Sequence, residues 1–316
     1  VVVYAMEWNR KFEQGSMSKF EKAISKKLSE FNQQKFINFL SNIQGGRISH
    51  RSTPLSVNHL HIFSSLPSTN QTLWQLIDSG ALPGTIVLAT QQTAGRGQWG
   101  RNWRSSIGGL YMSVAFSKGC GCTRVPKISI SQTPQLTLST AWGIASGLQN
   151  HGVPVKIKWP NDLILENRKL GGILTETRVK KEKIAWAVIG VGVNWANSVP
   201  DIGINLQSYY RNQSQPEISS LEMLAAIVFH GLDSGIRQLL YSGIENILSG
   251  YNQLLINMGQ QVLVEDRLVE VVGVTNSGEL KVKINQGLPT PKTQSQILPS
   301  EIYLKPGTIS LGYDKL

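Results

Sequence analysis

Three short segments of this chain bring glycines together with fixed positive charges. They are residues 95–103, 158–162 and 169–174. Glycine lets the main chain approach phosphate oxygens closely, arginine offers a planar fork of donors, and lysine supplies a compact charge. The combination indicates a site for an anionic nucleotide, and the chemistry it predicts is the activation of a carboxylate by ATP.

The first segment is predicted to form a lid over that site. It places Arg96 and Arg101 among glycines and interleaves them with Trp99 and Trp103. Exposed indole rings are costly unless they close over something, so we expect a loop that is mobile when empty and ordered by an anionic, partly apolar ligand. A glycine-rich loop with a purely structural role is the alternative.

The second segment ends a predicted strand at Pro160, which places Asn161 and Asp162 on a turn at the rim of a sheet. A carboxylate beside an anion site would help to hold Mg²⁺ against phosphate oxygens, because this hard cation prefers carboxylate and water ligands. The alternative is an ordinary turn.

The third segment contains the predicted catalytic residue, Lys169. This lysine follows a hairpin turn at Asn167 and Arg168, and two glycines, Gly171 and Gly172, come soon after it. An ammonium group there would meet a carboxylate and an α-phosphate together and offset the repulsion between the two anions. The alternative is a solvated charge on a strand edge.

Two further segments are candidates for ligand contact. Residues 68–71 have the Ser-x-x-Gln form of a capping box, and the free N–H groups of a helix start can also serve as donors in a pocket. Asn194 follows a strand that ends in alternating glycines, where it would face a base or a ribose. The alternatives are a cap without a ligand and a β-bulge.

Composition and charge limit the possible classes of protein. The chain has 316 residues, 41% of them hydrophobic, and a net charge of +11. Residues 61–180 carry twelve Lys or Arg against four Asp or Glu, so the segment with the motifs is the basic one. Such a field would attract ATP and an acidic carrier protein, with DNA as the competing partner. We expect a cytoplasmic protein, because the sequence contains no long apolar run and no signal-peptide pattern.

Hydrophobic periodicity predicts an α+β fold, in which a mixed or antiparallel sheet is flanked by helices and a small β-barrel follows. We expect an N-terminal extension with one amphipathic helix and a linker (residues 1–58), a catalytic domain (59–258) and the barrel (259–316). The helices are predicted from capping signals at Ser18, Ser68 and Ser219 and from the pattern of 134–150, with the last helical stretch reaching residue 255 and interrupted near Gly231 and Gly243. The predicted strands cover 60–63, 85–89, 109–116, 155–159, 163–166, 170–178, 184–193, 261–264, 268–274, 279–284 and 301–304. Cys120 and Cys122 have no partner cysteines or histidines at ligand spacing and are interpreted as incidental.

Taken in order along the chain, these motifs resemble those of the biotin protein ligases, over residues 59–305. The resemblance implies a class II synthetase-like catalytic domain with a C-terminal SH3-like barrel. It implies Lys169, Arg96 and Asp162 as catalytic residues, with Asp162 also near Mg²⁺. The implied biotin contacts are Ser68, Thr69, Asn70, Gln92, Gly95, Arg96, Gly97, Gln98, Lys169, Gly171, Gly172 and Ile173. The implied ATP contacts are Arg101, Trp103, Lys158, Asn161, Asp162 and Asn194.

The same resemblance implies a two-step reaction. Biotin would be activated by ATP as biotinyl-5′-AMP and then transferred to a lysine of the biotin carboxyl carrier protein of acetyl-CoA carboxylase. We expect a monomer or a weak homodimer that does not associate with membranes. Gln98 stands where the family commonly has an arginine, which predicts a lid that retains the adenylate less tightly.

Two other interpretations compete with this one. A lipoate ligase or octanoyltransferase would share the sheet and the central lysine. A DNA-binding biotin repressor would use the basic N-terminal residues, but these show one convincing helix, whereas a winged helix-turn-helix needs three helices and a hairpin. We therefore expect a monofunctional ligase that does not bind DNA.

Overall fold

The computed structural model describes residues 31–43, 59–117, 129–211, 213, 216–264, 267–284, 301–309 and 311–312. The helix predicted to begin at Ser18, the linker predicted before residue 55, and Cys120 and Cys122 lie outside these residues. The described helices are α1 (Gln33–Ile43), α2 (Thr69–Asp78), α3 (Thr133–Gln149), α4 (Leu206–Tyr210), α5 (Leu221–Ser242) and α6 (Glu245–Leu254). The strands are β1 (Leu60–Phe63), β2 (Ile86–Ala89), β3 (Leu110–Ser117), β4 (Lys156–Lys158), β5 (Asp162–Leu165), β6 (Arg168–Lys180), β7 (Lys183–Val193), β8 (Gln261–Val264), β9 (Arg267–Val274), β10 (Leu280–Ile284) and β11 (Glu301–Leu304).

The larger of the two sheets has seven strands, β1 to β7. Its strand order is β1-β2-β3-β7-β6-β5-β4. β1 and β2 run parallel to each other, and every other neighbouring pair is antiparallel. The prediction of a mixed sheet flanked by helices is therefore confirmed. The short antiparallel connections between β4 and β7 hold the second and third motif segments close together in space.

Helices cover both faces of this sheet. Because side chains alternate along a strand, Ile86 and Leu88 of β2 enter the main core, while Val87 and Ala89 belong to a second cluster with α2. On the main-core side, α3 and α5 pack closely against each other. A Cβ added at Gly143 of α3 would overlap the backbone of α5, so glycine permits this close approach.

Helix α1 belongs to the core although its sequence did not predict it. Phe36 is fully buried, and its ring centroid lies 6.3 Å from that of Phe229 on α5. Asn32 caps the helix, since its Oδ1 accepts a hydrogen bond of 2.9 Å from the backbone N–H of Lys35. Part of the predicted N-terminal extension therefore packs in the main core beside α5.

The C-terminal module contains a four-stranded antiparallel sheet in the order β11-β10-β9-β8. Its strands lie within two residues of their predicted positions. Trp159 joins this module to the large sheet, because its Nε1 donates a hydrogen bond of 3.0 Å to the carbonyl of Gly278. Closure of the sheet into a barrel and the boundary at residue 259 stay predictions.

Several details of the predicted elements were wrong. The turn between β5 and β6 is at Glu166 and Asn167, both with positive φ, and not at Asn167 and Arg168. Helix α5 runs unbroken through Gly231 and is capped by Ser220, whose side chain accepts from the backbone N–H of Met223. The packing of α3 fixes α5 there, which overrides the low helix propensity of glycine.

Within the described residues, no helix has both the length and the apolar composition needed to cross a bilayer.

Candidate active site

One face of the large sheet forms the floor of a cavity of about 330 Å³. The strand register on this face places Gly172 of β6 opposite both Asp162 of β5 and Gly192 of β7. In the next row, Leu174 lies opposite Gly190. Three of these positions have no side chain, and this leaves room for the indole ring of Trp103 over Gly192 and for the amide of Asn70 over Gly190.

Lys169 stands at the edge of this floor. Its Nζ lies 2.6 Å from Oδ1 of Asp162 and 5.3 Å from the ring centroid of Trp103. The indole ring of Trp103 covers Gly192, where an added Cβ would lie 2.5 Å from Nε1. That Nε1 is buried and has no hydrogen-bond partner among the described residues. The ammonium group is therefore held between a carboxylate and a ring, inside the cavity.

A second lysine, Lys158, is buried in the same cavity with 6% of its surface exposed. Burial lowers the pKa of Lys158 to about 8; the Asp162 carboxylate opposes this shift, and the nearby charges of Lys169 and Arg101 add to it. In the strand register, Lys158 pairs directly with Asp162, which opens β5 and does not lie on the turn as predicted. Two ammonium groups thus flank one carboxylate.

The start of α2 forms another wall of the cavity. Oε1 of Gln92 accepts hydrogen bonds from the backbone N–H of Thr69 (2.8 Å) and from its hydroxyl (3.1 Å). Nε2 of Gln92 donates to Oγ of Ser105 at 2.8 Å. Ser68 occupies the N-cap position, but its side chain makes no capping hydrogen bond, so the predicted capping box is not formed. Gln92 satisfies the first N–H of the helix instead.

The loop of residues 95–103 closes on itself beside this wall. The backbone N–H of Gly97 donates to the carbonyl of Arg101 (2.7 Å), and that of Trp103 donates to the carbonyl of Gly95 (2.9 Å). A Cβ at Gly95 would collide with the side chain of Ser105, so this position requires glycine for packing. The loop therefore has a defined hairpin-like path, while its predicted mobility stays a prediction.

The tip of the loop meets the C-terminal module. Trp99 has a φ of 53° and is 54% exposed. A Cβ added at Gly307 would lie 2.7 Å from its Nε1, so the indole ring packs over that glycine. The guanidinium carbon of Arg101 lies 5.8 Å from the ring centroid of Trp99. The Oε1 atom of Gln98 is buried with no hydrogen-bond partner among the described residues.

Two asparagines at the cavity support its backbone. Nδ2 of Asn161 donates to the carbonyl of Ile173 at 2.7 Å. Nδ2 of Asn194 donates to the carbonyl of Lys169 at 3.2 Å, and its Oδ1 accepts from Nδ2 of Asn197 at 2.9 Å. Both side chains therefore hold the strands that carry Lys169, and their predicted contacts with ATP stay predictions.

The structure brings nearly all the predicted site residues to one cavity. Those that line it are Ser68, Thr69, Asn70, Gln92, Arg96, Gly97, Gln98, Arg101, Trp103, Lys158, Asn161, Asp162, Lys169, Gly172, Ile173 and Asn194. Gly95 and Gly171 do not line it. A Cβ at Gly171 would lie 2.6 Å from the carbonyl oxygen of Gly192, so this glycine serves strand packing. The side chain of Ile173 is buried in the main core, since it alternates with Gly172 on the strand.

Several residues in or beside the cavity were missed by the sequence analysis. On β6, period-two alternation from Gly172 places Leu174 and then Glu176 on the same face, and this pattern would have found them. Ser113 of β3 is fully buried beneath α2. The three cavity residues from the C-terminal module, Gly307, Ile309 and Leu311, lie too far along the chain for any local pattern to show them.

The cavity is strongly positive. Among the described residues that line it, Asp162 is the one carboxylate, against five cationic side chains: Arg96, Arg101, Arg104, Lys158 and Lys169. Low-dielectric walls strengthen such a field. The site is therefore suited to a polyanionic ligand together with a carboxylate.

Comparison with known proteins is consistent with this geometry. Residues 62–194 match the model of the Biotin/lipoate A/B protein ligase family. The Bifunctional ligase/repressor BirA of Bacillus subtilis is 29% identical, over 75% of this chain and 73% of that protein. The Bifunctional ligase/repressor BirA of Salmonella typhimurium is 31% identical, over 70% of this chain and 67% of that protein. A solved structure of biotin protein ligase from Aquifex aeolicus in complex with biotin and ATP shares the fold with a TM-score of 0.55 and 22% identity, covering 73% of this chain and 94% of that chain.

Proposed function

Because this chain belongs to the biotin protein ligase family, we propose that it activates biotin with ATP and attaches the product to a lysine of a carrier protein. One observation carries the proposal: the ammonium of Lys169 lies inside a cavity whose described lining has five cations and a single carboxylate. Such a cavity can hold two anions in contact, which the first step of the reaction requires.

In that first step, a carboxylate oxygen of biotin attacks the α-phosphorus of ATP, and the bond from this phosphorus to the pyrophosphate oxygen breaks. We propose that Lys169 offsets the negative charge shared between the two reacting groups, since a preorganised charge needs little reorganisation during the reaction. Asp162, at 2.6 Å from Nζ, orients the ammonium. Lys158, Arg101 and Arg96 supply further positive charge for the phosphates.

In the second step, the neutral amine of the carrier lysine attacks the acyl carbon of the adenylate, the bond from this carbon to the phosphate oxygen breaks, AMP leaves, and the amine releases a proton to the solvent. We propose that the incoming amine reaches this carbon past the exposed side of the loop, where Arg96 and Trp99 are more than half exposed. We propose as carrier the biotin carboxyl carrier protein of acetyl-CoA carboxylase, and as location the cytoplasm. The absence of DNA binding and a monomeric or weakly dimeric state remain parts of this proposal.

We propose that Mg²⁺ enters the site with the nucleotide and is bound mainly through its phosphates. Among the described residues, no group of three or more metal-binding side chains is present, but Mg²⁺ is commonly held by one or two carboxylates together with substrate phosphates. Asp162 would hold the ion, which would supply charge stabilisation for the leaving pyrophosphate.

Exchange of labelled pyrophosphate into ATP tests the proposed function. We expect exchange that depends on biotin and is near background with lipoate or octanoate, followed by transfer of biotin to the purified carrier protein. Each acid is tested at the same concentration, and a reaction without acid sets the background. Exchange that is faster with lipoate than with biotin would overturn the assignment in favour of a lipoate ligase.

A further inference from the structure

Glu176 is a charged residue beside the cavity that the proposed reaction does not use. It lies on β6, on the face that carries Gly172 and Leu174. Its Oε2 accepts hydrogen bonds from Nδ2 of Asn70 (3.0 Å) and Nε1 of Trp74 (3.1 Å). Its Oε1 lies 3.3 Å from Nη1 of Arg96. One carboxylate on the sheet therefore contacts both α2 and the loop of residues 95–103.

The contacts on the α2 side are rigid. Oγ of Ser113 donates to Oδ1 of Asn70 at 2.6 Å, and a Cβ at Gly190 would collide with the same amide. Trp74 is covered on its ring face by Arg178, whose guanidinium carbon lies 4.2 Å from the ring centroid. Oε2 of Glu176 is thus held by two donors that are themselves packed against neighbouring side chains.

The contact on the loop side is different, because the side chain of Arg96 is 56% exposed. A long arginine side chain samples many rotamers when it is free, and ordering it on binding weakens the affinity for a ligand. A fixed carboxylate at 3.3 Å selects the rotamers that keep the guanidinium beside the cavity.

We propose that Glu176 is a positioning residue that holds Arg96, and with it the loop, beside the start of α2 before the ligand binds. The proposal rests on the proposed function in one respect: the ligand whose binding it assists is taken to be biotin. The competing role is purely structural, with Glu176 needed only by Asn70 and Trp74.

The substitution E176Q separates these two roles. Its amide oxygen can still accept from Asn70 and Trp74, while its amide nitrogen is a donor that faces the donors of Arg96. The matched control is E166Q, because Glu166 pairs with Arg168 at 3.4 Å on an exposed hairpin that does not line the cavity. R96Q removes the pair from the exposed side and, because Arg96 is itself proposed to contact the ligand, serves only as the background for the double variant.

Calorimetry with biotin is the main measurement. We expect E176Q to weaken biotin binding by about fivefold, the scale of a partly exposed ion pair, and E166Q to leave it unchanged. In the R96Q background, E176Q should cause no further loss, because the partner through which it acts is gone. Equal affinity of E176Q and wild type, or a full additional loss in the double variant, would overturn the proposal.

A second measurement needs no biotin. Tryptic cleavage after Arg96 in the ligand-free enzyme should be faster in E176Q than in wild type or E166Q, because the loop has lost its anchor. If the wild-type protein fails to bind biotin, the proposed function is wrong, and the cleavage rates still decide the role of Glu176. Identical cleavage rates in all three proteins would count against the anchor.

Discussion

Lys169 is the residue on which the proposed chemistry depends most. Replacing it with alanine removes the ammonium between Asp162 and Trp103, so we expect adenylate formation to fall by at least about a hundredfold, while the fold survives because the side chain is partly exposed. Pyrophosphate exchange at saturating biotin and ATP measures the loss. Lys183→Ala, an exposed lysine on the same pair of strands, should behave as wild type. Near-normal exchange by Lys169→Ala would refute the assignment.

Lys158 gives the site a dependence on pH. Burial lowers its pKa to about 8, so the side chain is cationic below this pH and neutral above it. Bound phosphate favours the cation, and the affinity for a non-hydrolysable ATP analogue should therefore fall by up to about tenfold between pH 7 and pH 9. Lys158→Met should bind more weakly at pH 7 and show a flat profile in calorimetry. A profile in the variant as steep as that of wild type would exclude Lys158 as the cause.

At the scale of elements, the loop of residues 95–103 and the C-terminal module act together. Trp99 packs over Gly307, which has a φ of 93°, and the module supplies three residues to the cavity. In Gly307→Ala the new methyl group would displace the indole ring. We expect the KM for ATP to rise by about threefold or more, because the loop no longer closes correctly.

Gly259→Ala is the matched control for this prediction. Gly259 has a φ of 73° and open space where its Cβ would be, so it shares the backbone strain of Gly307 but not the contact with Trp99. Both variants should lose about 1–2 kcal/mol of stability, and only Gly307→Ala should change the kinetics. Thermal melts and exchange kinetics on both proteins test this, and equal KM values for the two would contradict it.

At the scale of the whole molecule, stability depends on a carboxyl group buried in α5. Asp233 is 3% exposed; Nε of Arg237 donates to its Oδ2 at 2.8 Å, while its Oδ1 has no hydrogen-bond partner among the described residues. Burial raises the pKa of Asp233 to about 6, with Arg237 opposing the shift. Since the folded-state pKa exceeds the unfolded value of 3.8, the stability this group contributes is present at low pH and is lost as the pH rises to about 6.

The substitution Asp233→Asn removes this titration. We expect the unfolding free energy of wild type, relative to the variant, to fall by about 1 kcal/mol between pH 5 and pH 7. Urea unfolding at both values measures it, with Asp201→Asn, an exposed carboxylate, as the control. A difference that stays constant with pH would show that Asp233 titrates as in the unfolded chain.

The sequence predicted the elements of the large sheet well, because strand periodicity and turn residues are local signals. The predictions were wrong where contacts between distant parts of the chain determine the local structure. Helix α1 was missed, since Phe36 and Leu40 find their place only against α5. The hairpin turn was shifted by one residue, because Glu166 and Asn167 together adopt positive φ in a tight connection that the strand register imposes.

By itself, the sequence determined which chemistry is available: the order of glycines, arginines and lysines along the chain already indicated a nucleotide and carboxylate site, and the family. Only the tertiary structure decided which strands lie side by side, because the register of β5, β6 and β7 brings Gly172 opposite both Asp162 and Gly192 on the cavity face. It also decided that the C-terminal module reaches the cavity through Gly307 and that Glu176 joins α2 to the loop. Such contacts join residues 80 or more positions apart, and no local pattern encodes them.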